Sequence, residues 1–529
     1  MYKKRLNKHL LLCAMAIMPA VTHAQYAWQE DEERTASKLR LTSNLQYKAE
    51  MQGSVAGDKT PLWLNANKHG LSSLDKYNGY VRGCVQRPIE TDSMRRWAVG
   101  YALDLVAPVN YTSNFIVQQA YAEARWLHGV ISVGAKEWPM ELKNQTLSSG
   151  SQTFGINARP VPQVRLALPK YWTIPGTKGW LHLKGHIAYG IMTDNSWQHD
   201  FTNKTHKYAD DVLYHSKAGY LKIGNDYSFF PLSVELGLEM AAQFGGKPYQ
   251  MYDGKMIKIK TGSSLKDFWD VFIPGGTDAS DGMYINKEGN QLGSWVARIN
   301  YDTEEWRASL YADHFFEDQS QMFLLDYNGY GSGKDWNTWT KRRYFVYSLK
   351  DIMLGAELNI KYGTWLKAIV LEYLYTKYQS GPYNHDRTQN ISDHIAGLDD
   401  YYNHSTYTGW QHWGQVIGNP LYRSPLYNDD GEIRIKDNRF VAWHLGVSGS
   451  PTERTDYRIL ATWQKGWGTY GDPFTKPHHN VSLMAETSYK FNGGWTLKAA
   501  YGMDFGSTKM LGHNYGGQIT VTKSGILKR

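Results

Sequence analysis

Residues Trp180–Met192 read WLHLKGHIAYGIM. Leu181, Leu183, Ile187, Tyr189 and Ile191 recur with period two, while His182, Lys184, His186, Ala188 and Gly190 take the alternate positions. Successive side chains of a strand point to opposite faces, so this is a strand with one apolar face and one polar or small face. Two later stretches repeat the pattern. In Val481–Phe491, Val481, Leu483, Ala485, Tyr489 and Phe491 oppose Ser482, Glu486, Ser488 and Lys490. In Trp495–Phe505, Trp495, Leu497, Tyr501, Met503 and Phe505 oppose Thr496, Lys498 and Asp504. Aromatic residues fall near the strand ends, where a transmembrane barrel carries its interface girdles. About eighteen such segments lie between residues 45 and 526, an even number as single-chain bacterial barrels require. Among them are strands predicted over 130–139, 163–168 and 480–491. The chain holds 38 Tyr, 20 Trp and 50 Gly with only 20% charged residues. No stretch beyond the N-terminus is long and apolar enough for a membrane helix. The predicted fold is an all-β, antiparallel transmembrane barrel.

The connections sharpen this. Short turns are expected at Thr91–Arg96, Leu127–Gly129, Gly224–Ser228, Asp302–Glu305, Tyr362–Gly363, Pro451–Asp456 and Asn492–Gly494. Long segments fall at 57–78, 140–162, 193–211, 244–292, 317–351 and 378–438. Tight periplasmic turns alternating with long extracellular loops are a barrel's asymmetry. A soluble sandwich or propeller has no reason to keep it. The chain ends on Leu527-Lys528-Arg529 rather than the terminal aromatic of many outer-membrane barrels.

The N-terminus reads as a secretory signal over residues 1–24. Lys3, Lys4, Arg5 and Lys8 precede the apolar run Leu10–Val21, and Thr22-His23-Ala24 forms a cleavage box. Cys13 follows Leu12, where a lipoprotein signal needs a small residue. Residues 25–44 read as a short, charged, weakly helical periplasmic segment, and 45–529 as the barrel. Losing the signal removes four positive charges and no acids, so the net charge falls from +8 to +4. That balance, without a basic block interleaved with aromatics, excludes nucleic acid as the expected partner. Only Cys84 survives processing, so the fold holds without an intrachain disulfide.

The richest loop, Tyr378–Lys436, contains NHDRTQNISDHIAGLDDYYNHSTYTGWQHWGQ. Tyr401, Tyr402, Trp410 and Trp413 are candidates for stacking on sugars, with amides and carboxylates bonding hydroxyls. The alternative is that they pack the loops together and cap the barrel. His385, His394, His404 and His412, with Asp393, Asp399 and Asp400 between them, match no tight metal-ligand spacing. The acid pairs Asp210–Asp211, Asp399–Asp400 and Asp429–Asp430 are adjacent in sequence, whereas acid–base catalysis needs carboxyls converging across a cleft. No hydrolase, zincin or phosphate-loop pattern occurs. No enzymatic activity, metal or cofactor is therefore expected.

The stretch Asn144–Arg165 reads NQTLSSGSQTFGINARPVPQVR. Pro160 and Pro162 exclude a helix or central strand from its second half. Lys143, Arg159 and Arg165 offer groups that either hold an acidic polysaccharide or pair with acids inside the barrel. Asn144-Gln145, Leu147-Ser148-Ser149-Gly150-Ser151 and Asn157-Ala158-Arg159-Pro160-Val161-Pro162-Gln163 resemble the central signature of the Wzi capsule assembly family. Pro61-Leu62-Trp63-Leu64-Asn65-Ala66-Asn67 with Gly70-Leu71-Ser72-Ser73 resembles longer members. Val161 stands where the family pattern has Ile. The resemblance implies an eighteen-strand outer-membrane lectin, without enzymatic activity, that attaches capsular polysaccharide to the cell surface. It also implies a periplasmic helical segment, for which Gln25–Ser43 is short. The alternative function is a porin-like channel for oligosaccharides or small solutes. Expected partners are capsular polysaccharide, outer-membrane lipids and lipopolysaccharide, and the expected oligomeric state is a monomer. A stiff, polar stretch between barrel strands is expected to fold into the lumen and brace the mouth. Asn144, Gln145, Arg159 and Arg165 stand as further polysaccharide-binding candidates.

Overall fold

A computed structural model describes residues 40–527 apart from 226, 227, 229, 274–288, most of 318–349, 385–393 and 398. The signal peptide and most of the segment 25–44 lie outside the described residues. Eighteen strands form one sheet. They are β1 (Gln46–Ala56), β2 (Tyr77–Arg87), β3 (Trp97–Val109), β4 (Ile116–Trp126), β5 (Gly129–Ala135) and β6 (Gln163–Thr173). Next come β7 (Leu181–Ile191), β8 (Leu213–Ile223), β9 (Leu232–Phe244), β10 (Asn290–Asp302), β11 (Trp306–Glu317) and β12 (Ile352–Ile360). The last six are β13 (Ala368–Tyr375), β14 (Phe440–Thr452), β15 (Thr455–Gly468), β16 (Pro473–Lys490), β17 (Trp495–Gly506) and β18 (Asn514–Ile526). Each pairs antiparallel with its sequence neighbour. β18 pairs with β1 from Gln46↔Ile526 to Ala56↔Gly516, so the sheet closes and leaves no free edge.

The wall is inside-out. Met51, Leu103, Ile131, Leu166 and Leu310 are exposed outward, while Ser54, Asp104, Glu239, Asp313 and Glu372 are buried inward. A sheet with this polarity is stable only with an apolar solvent outside. Aromatic pairs mark the short-turn end: Trp97 stacks on Trp126 at 5.5 Å, Trp180 meets Phe230 at 5.8 Å, and Tyr301 stacks on Trp306 at 5.6 Å. Tyr373 and Trp443, 4.9 Å apart, lie toward the other end. All seven expected short turns fall at one end, and the six expected long segments join their strands at the other.

Three boundaries differ from expectation for local reasons. β5 stops at Ala135, not at 139, because Gly134 takes φ +117° and a Cβ there would lie 2.0 Å from the Ala120 carbonyl. The chain then turns into the lumen. β6 continues past Pro169 to Thr173, with a register shift between Leu168 and Trp172 that accommodates the missing donor. β16 begins at Pro473 rather than 480, and its pairing with β15 shifts between Gly466 and Gly468, beyond Pro477.

Leu310 lies near mid-height on the outer face. Leu310→Arg is expected to destabilise the bilayer-inserted barrel by about 2–4 kcal/mol. Equilibrium unfolding from lipid vesicles measures this, and an unchanged midpoint would refute the lipid-facing assignment.

Candidate functional site: the luminal plug and the loop surface above it

The segment 136–162 leaves the short β5, crosses the lumen and descends toward the short-turn end before climbing back. Its polar composition matches the polar inner wall. Lys143 Nζ lies 2.7 Å from Asp313 on β11, with both side chains buried. Asn144 donates to Glu357 on β12 at 2.9 Å, and Arg298 on β10 donates to the same carboxylate at 2.8 Å. Glu372 on β13 accepts from the Ser148 hydroxyl at 2.6 Å and the Ser149 N–H at 2.8 Å. The Gln152 N–H donates to Asp313 at 3.1 Å, and Thr153 meets Ser294 at 2.8 Å. His444 and Arg458 donate to the carbonyls of Leu147 and Thr146. Thr146 borders a cavity of about 310 Å³ at the short-turn end, lined also by Lys367, Arg458, Glu486 and Lys498. The segment therefore does more than brace the mouth. It bolts the wall from β10 to β15.

Two further loops complete the filling. Leu62, Trp63 and Leu64, on a short helix α1 (Leu62–Asn65), join Leu147, Val161, Trp410, Tyr422 and Phe440 in one buried core. The aromatic candidates of the seventh long-end loop belong to that core. Tyr401, Tyr402 and Trp410 are each 0% exposed. Tyr402 stacks on Tyr422 at 4.0 Å and donates to the Gln152 carbonyl; Trp410 stacks on Tyr214 at 5.9 Å, and its indole N–H donates to the Thr153 carbonyl at 3.0 Å. These three residues present no ring face to a ligand, and their expected stacking on sugar is corrected to packing on the plug. The physical reason is that the plug leaves carbonyls and apolar surface that only buried, hydrogen-bonding aromatics can cover.

Trp413 differs. Gln411–His412 pairs with Gln415–Val416, and the two residues between, Trp413 and Gly414, take φ +56° and +76°. Positive φ at both central positions is a type I′ hairpin turn, where Asn and Gly are the usual residues. An aromatic there costs backbone strain. Trp413 remains partly exposed at this tip. The Arg159 guanidinium lies 4.2 Å from its ring centroid and donates to Ser113 and Thr112 at 2.8 Å each. Gly70, at φ +72°, allows that approach, since a Cβ would lie 2.4 Å from Arg159 Cγ. Arg159 is buried, so it holds the indole and presents no open charge. Burial lowers its pKa to about 10, so it stays cationic at neutral pH.

The other candidates are placed apart from this tip. Arg165 lies on the inner wall with its guanidinium 4.0 Å from the Trp138 ring centroid. Neither it nor Arg159 pairs with a carboxylate among the described residues, in contrast to the expected luminal ion pairs; Lys143 alone makes one. Gln145 is exposed but bonds to its own loop at Met140 and Lys143. Asn144 is tied to the wall near the short-turn end. His385 and Asp393 lie outside the described residues, as does the side chain of His394. His404 Nδ1 accepts from the Thr406 and Tyr407 N–H groups. His412 Nδ1 donates to the Arg159 carbonyl at 2.9 Å, which leaves Nε2 to accept from the Thr193 N–H at 3.1 Å. The acids that organise the plug (Asp313, Glu357 and Glu372) were not singled out from sequence; their one signal was a carboxylate in the inward register of an otherwise apolar strand.

No family model matches the chain, and no curated protein matches it. Among solved structures, Wzi of Escherichia coli, described as an outer membrane protein involved in group 1 capsule assembly and a carbohydrate binding β-barrel, is similar at TM-score 0.52. The identity is 13%, over 90% of this chain and 83% of that one. OprD of Pseudomonas aeruginosa gives TM-score 0.44 and 8% identity over 94% and 98% of the two chains. OccD3 of the same organism gives 0.42 and 9% over 92% and 91%. The closed eighteen-strand wall with its apolar outer band makes this chain an outer-membrane β-barrel.

Asp313→Ala would leave Lys143 buried without its counter-charge. The expected cost is about 3–5 kcal/mol, read by equilibrium unfolding and by faster proteolysis within 136–162. Unchanged stability would sink the bolt.

Burial holds His412 at a pKa of about 4, below its ordinary 6.5, because the imidazolium would lose its hydration and stand near the Arg159 charge. A depressed value means the stabilisation is complete above 6.5 and is lost as the pH falls toward 4. Protease protection of the loop 192–212 is expected to weaken across that window. His412→Gln should flatten the dependence, and a parent profile already flat between pH 7 and 4 would contradict the assignment.

Proposed function

We propose that this chain is a non-enzymatic, lectin-like member of the Wzi capsule assembly family that holds capsular polysaccharide at the cell surface. The observation that carries it is Trp413. A strained hairpin tip presents an indole at the long-loop end, backed by a buried arginine and standing over a lumen filled by three loops. Flat aromatic faces stack on the C–H surfaces of sugars, and Trp413 keeps part of its indole open at this tip. A repeating polymer engages many copies in the membrane, so each contact can be weak.

The filled lumen supports anchoring over passage of oligosaccharides. The acid pairs lend hydrolysis no support, since one carboxylate of each is held in an ion pair. Asp211 lies 2.6 Å from Lys247, Asp400 3.2 Å from Arg434 and Asp429 2.7 Å from Lys59.

Trp413→Ala is expected to weaken binding of the organism's own capsule about tenfold, the equivalent of 1.4 kcal/mol. Deleting the gene should shift capsule from cell-attached to shed. Unchanged attachment defeats the anchoring role, and a steady large single-channel conductance of the purified barrel favours the channel instead.

A further inference from the structure

Several side chains that point outward from the barrel are nevertheless buried. On β9, Leu232 and Leu236 are exposed, yet Met240, Ala242 and Phe244 in the same outward register are 5%, 1% and 2% exposed. On β8, Tyr214 points into the luminal core and His215, beside it, points out but is 1% exposed. His215 stands opposite Ala242 and Tyr189, and Lys217 opposite Met240.

The cover is a helix in the loop after β9, Leu265–Phe272, here α2. Its Phe268 ring meets Phe244 at 5.0 Å and Tyr189 at 5.2 Å. Phe272 meets His215 edge-on at 6.0 Å. The Tyr189 hydroxyl donates to the Phe268 carbonyl at 2.9 Å. Lys217 Nζ donates to the terminal carbonyls of Val271 and Phe272, a charge suited to a helix C-terminus. At the other end Ser264 and Asp267 form a capping box. The helix is thus fastened at both ends to the outside of the wall.

Its far face is apolar. Leu265, Trp269 and Ile273, four residues apart each time, are 90%, 61% and 49% exposed. Spacing of four puts them on one stripe. The height of that stripe follows from the strand. Six residues separate Lys217 from Ile223, beside the Trp180–Phe230 girdle, and ten separate Leu213, which pairs with Phe244. At roughly 3.3 Å per residue and a tilt of about 40° the helix lies about 15–25 Å above that girdle, at the upper edge of an apolar band about 25 Å tall. In this sector the strand aromatics Tyr189 and Phe244 are hidden beneath the helix, and Trp269 takes the place they would hold in the upper girdle. The stripe therefore continues the lipid-facing surface of the barrel.

We propose that α2 is a lipid-binding element lying in the outer leaflet, its Leu265–Trp269–Ile273 stripe against acyl chains near the headgroup boundary. Amphipathic helices bury an apolar face by this route. The test uses the full chain in vesicles of phosphatidylcholine with lipopolysaccharide. An environment-sensitive fluorophore is attached at Leu265→Cys or Trp269→Cys, with Glu453→Cys in an exposed turn as the aqueous reference. Labels on the helix are expected to be quenched by lipid-borne nitroxide and at least about tenfold less than the reference by aqueous iodide. Iodide quenching equal to the reference overturns the proposal. So does energy transfer between copies that rises with protein density, which would make the stripe a contact between two chains.

Discussion

Three carboxylates on the inner wall, Asp313, Glu357 and Glu372, are buried. A buried carboxylate is tolerable only with charged or hydrogen-bonding partners around it. The wall supplies some of them, including Arg298 and the Tyr311 hydroxyl. The remainder come from ten residues of one loop, Lys143 to Gln152. The plug and the wall are therefore mutually dependent. Without the loop the acids on β11, β12 and β13 lose part of their partners, and without the acids several of the loop's donors have no acceptors.

This dependence orders what lies above. Once the segment 136–162 is bolted across the lumen, its exposed carbonyls at Gln152 and Thr153 take donors from Tyr402 and Trp410. The long loop before β14 is drawn inward and its aromatics become core. Asn157 then bonds to Val416, which fixes the hairpin whose tip is Trp413. Arg159, two residues on, seats the indole. A chain of contacts thus runs from acids deep in the barrel to one partly exposed ring at the surface, and the proposed glycan contact rests on it.

The outside of the barrel obeys the opposite solvent. Apolar side chains face outward wherever the wall meets lipid, and the polar His215 and Lys217 are admitted only because a helix covers them. The two surfaces illustrate one rule: which side of the wall counts as buried depends on the medium that faces it.

The strands themselves were legible in the sequence. Period-two alternation needs no partner to be read, and the pattern in Trp180–Met192 placed Leu183 outward and His182 inward as the structure does. The alternation of short turns with long loops likewise determined which residues share an end of the barrel. Boundaries shifted most where Gly134, Pro169 and Pro477 acted through pairing partners. The fate of the loops was decided by tertiary structure alone. Ser148 and Glu372 are 224 residues apart, and no local pattern connects them. Tyr402 and Trp413 look alike in sequence as aromatic loop residues. One is buried because its hydroxyl meets a plug carbonyl, and the other is displayed because a type I′ turn turns it away from the core. Local periodicity specifies the wall, whereas long-range complementarity specifies what fills it and what is left to face the outside.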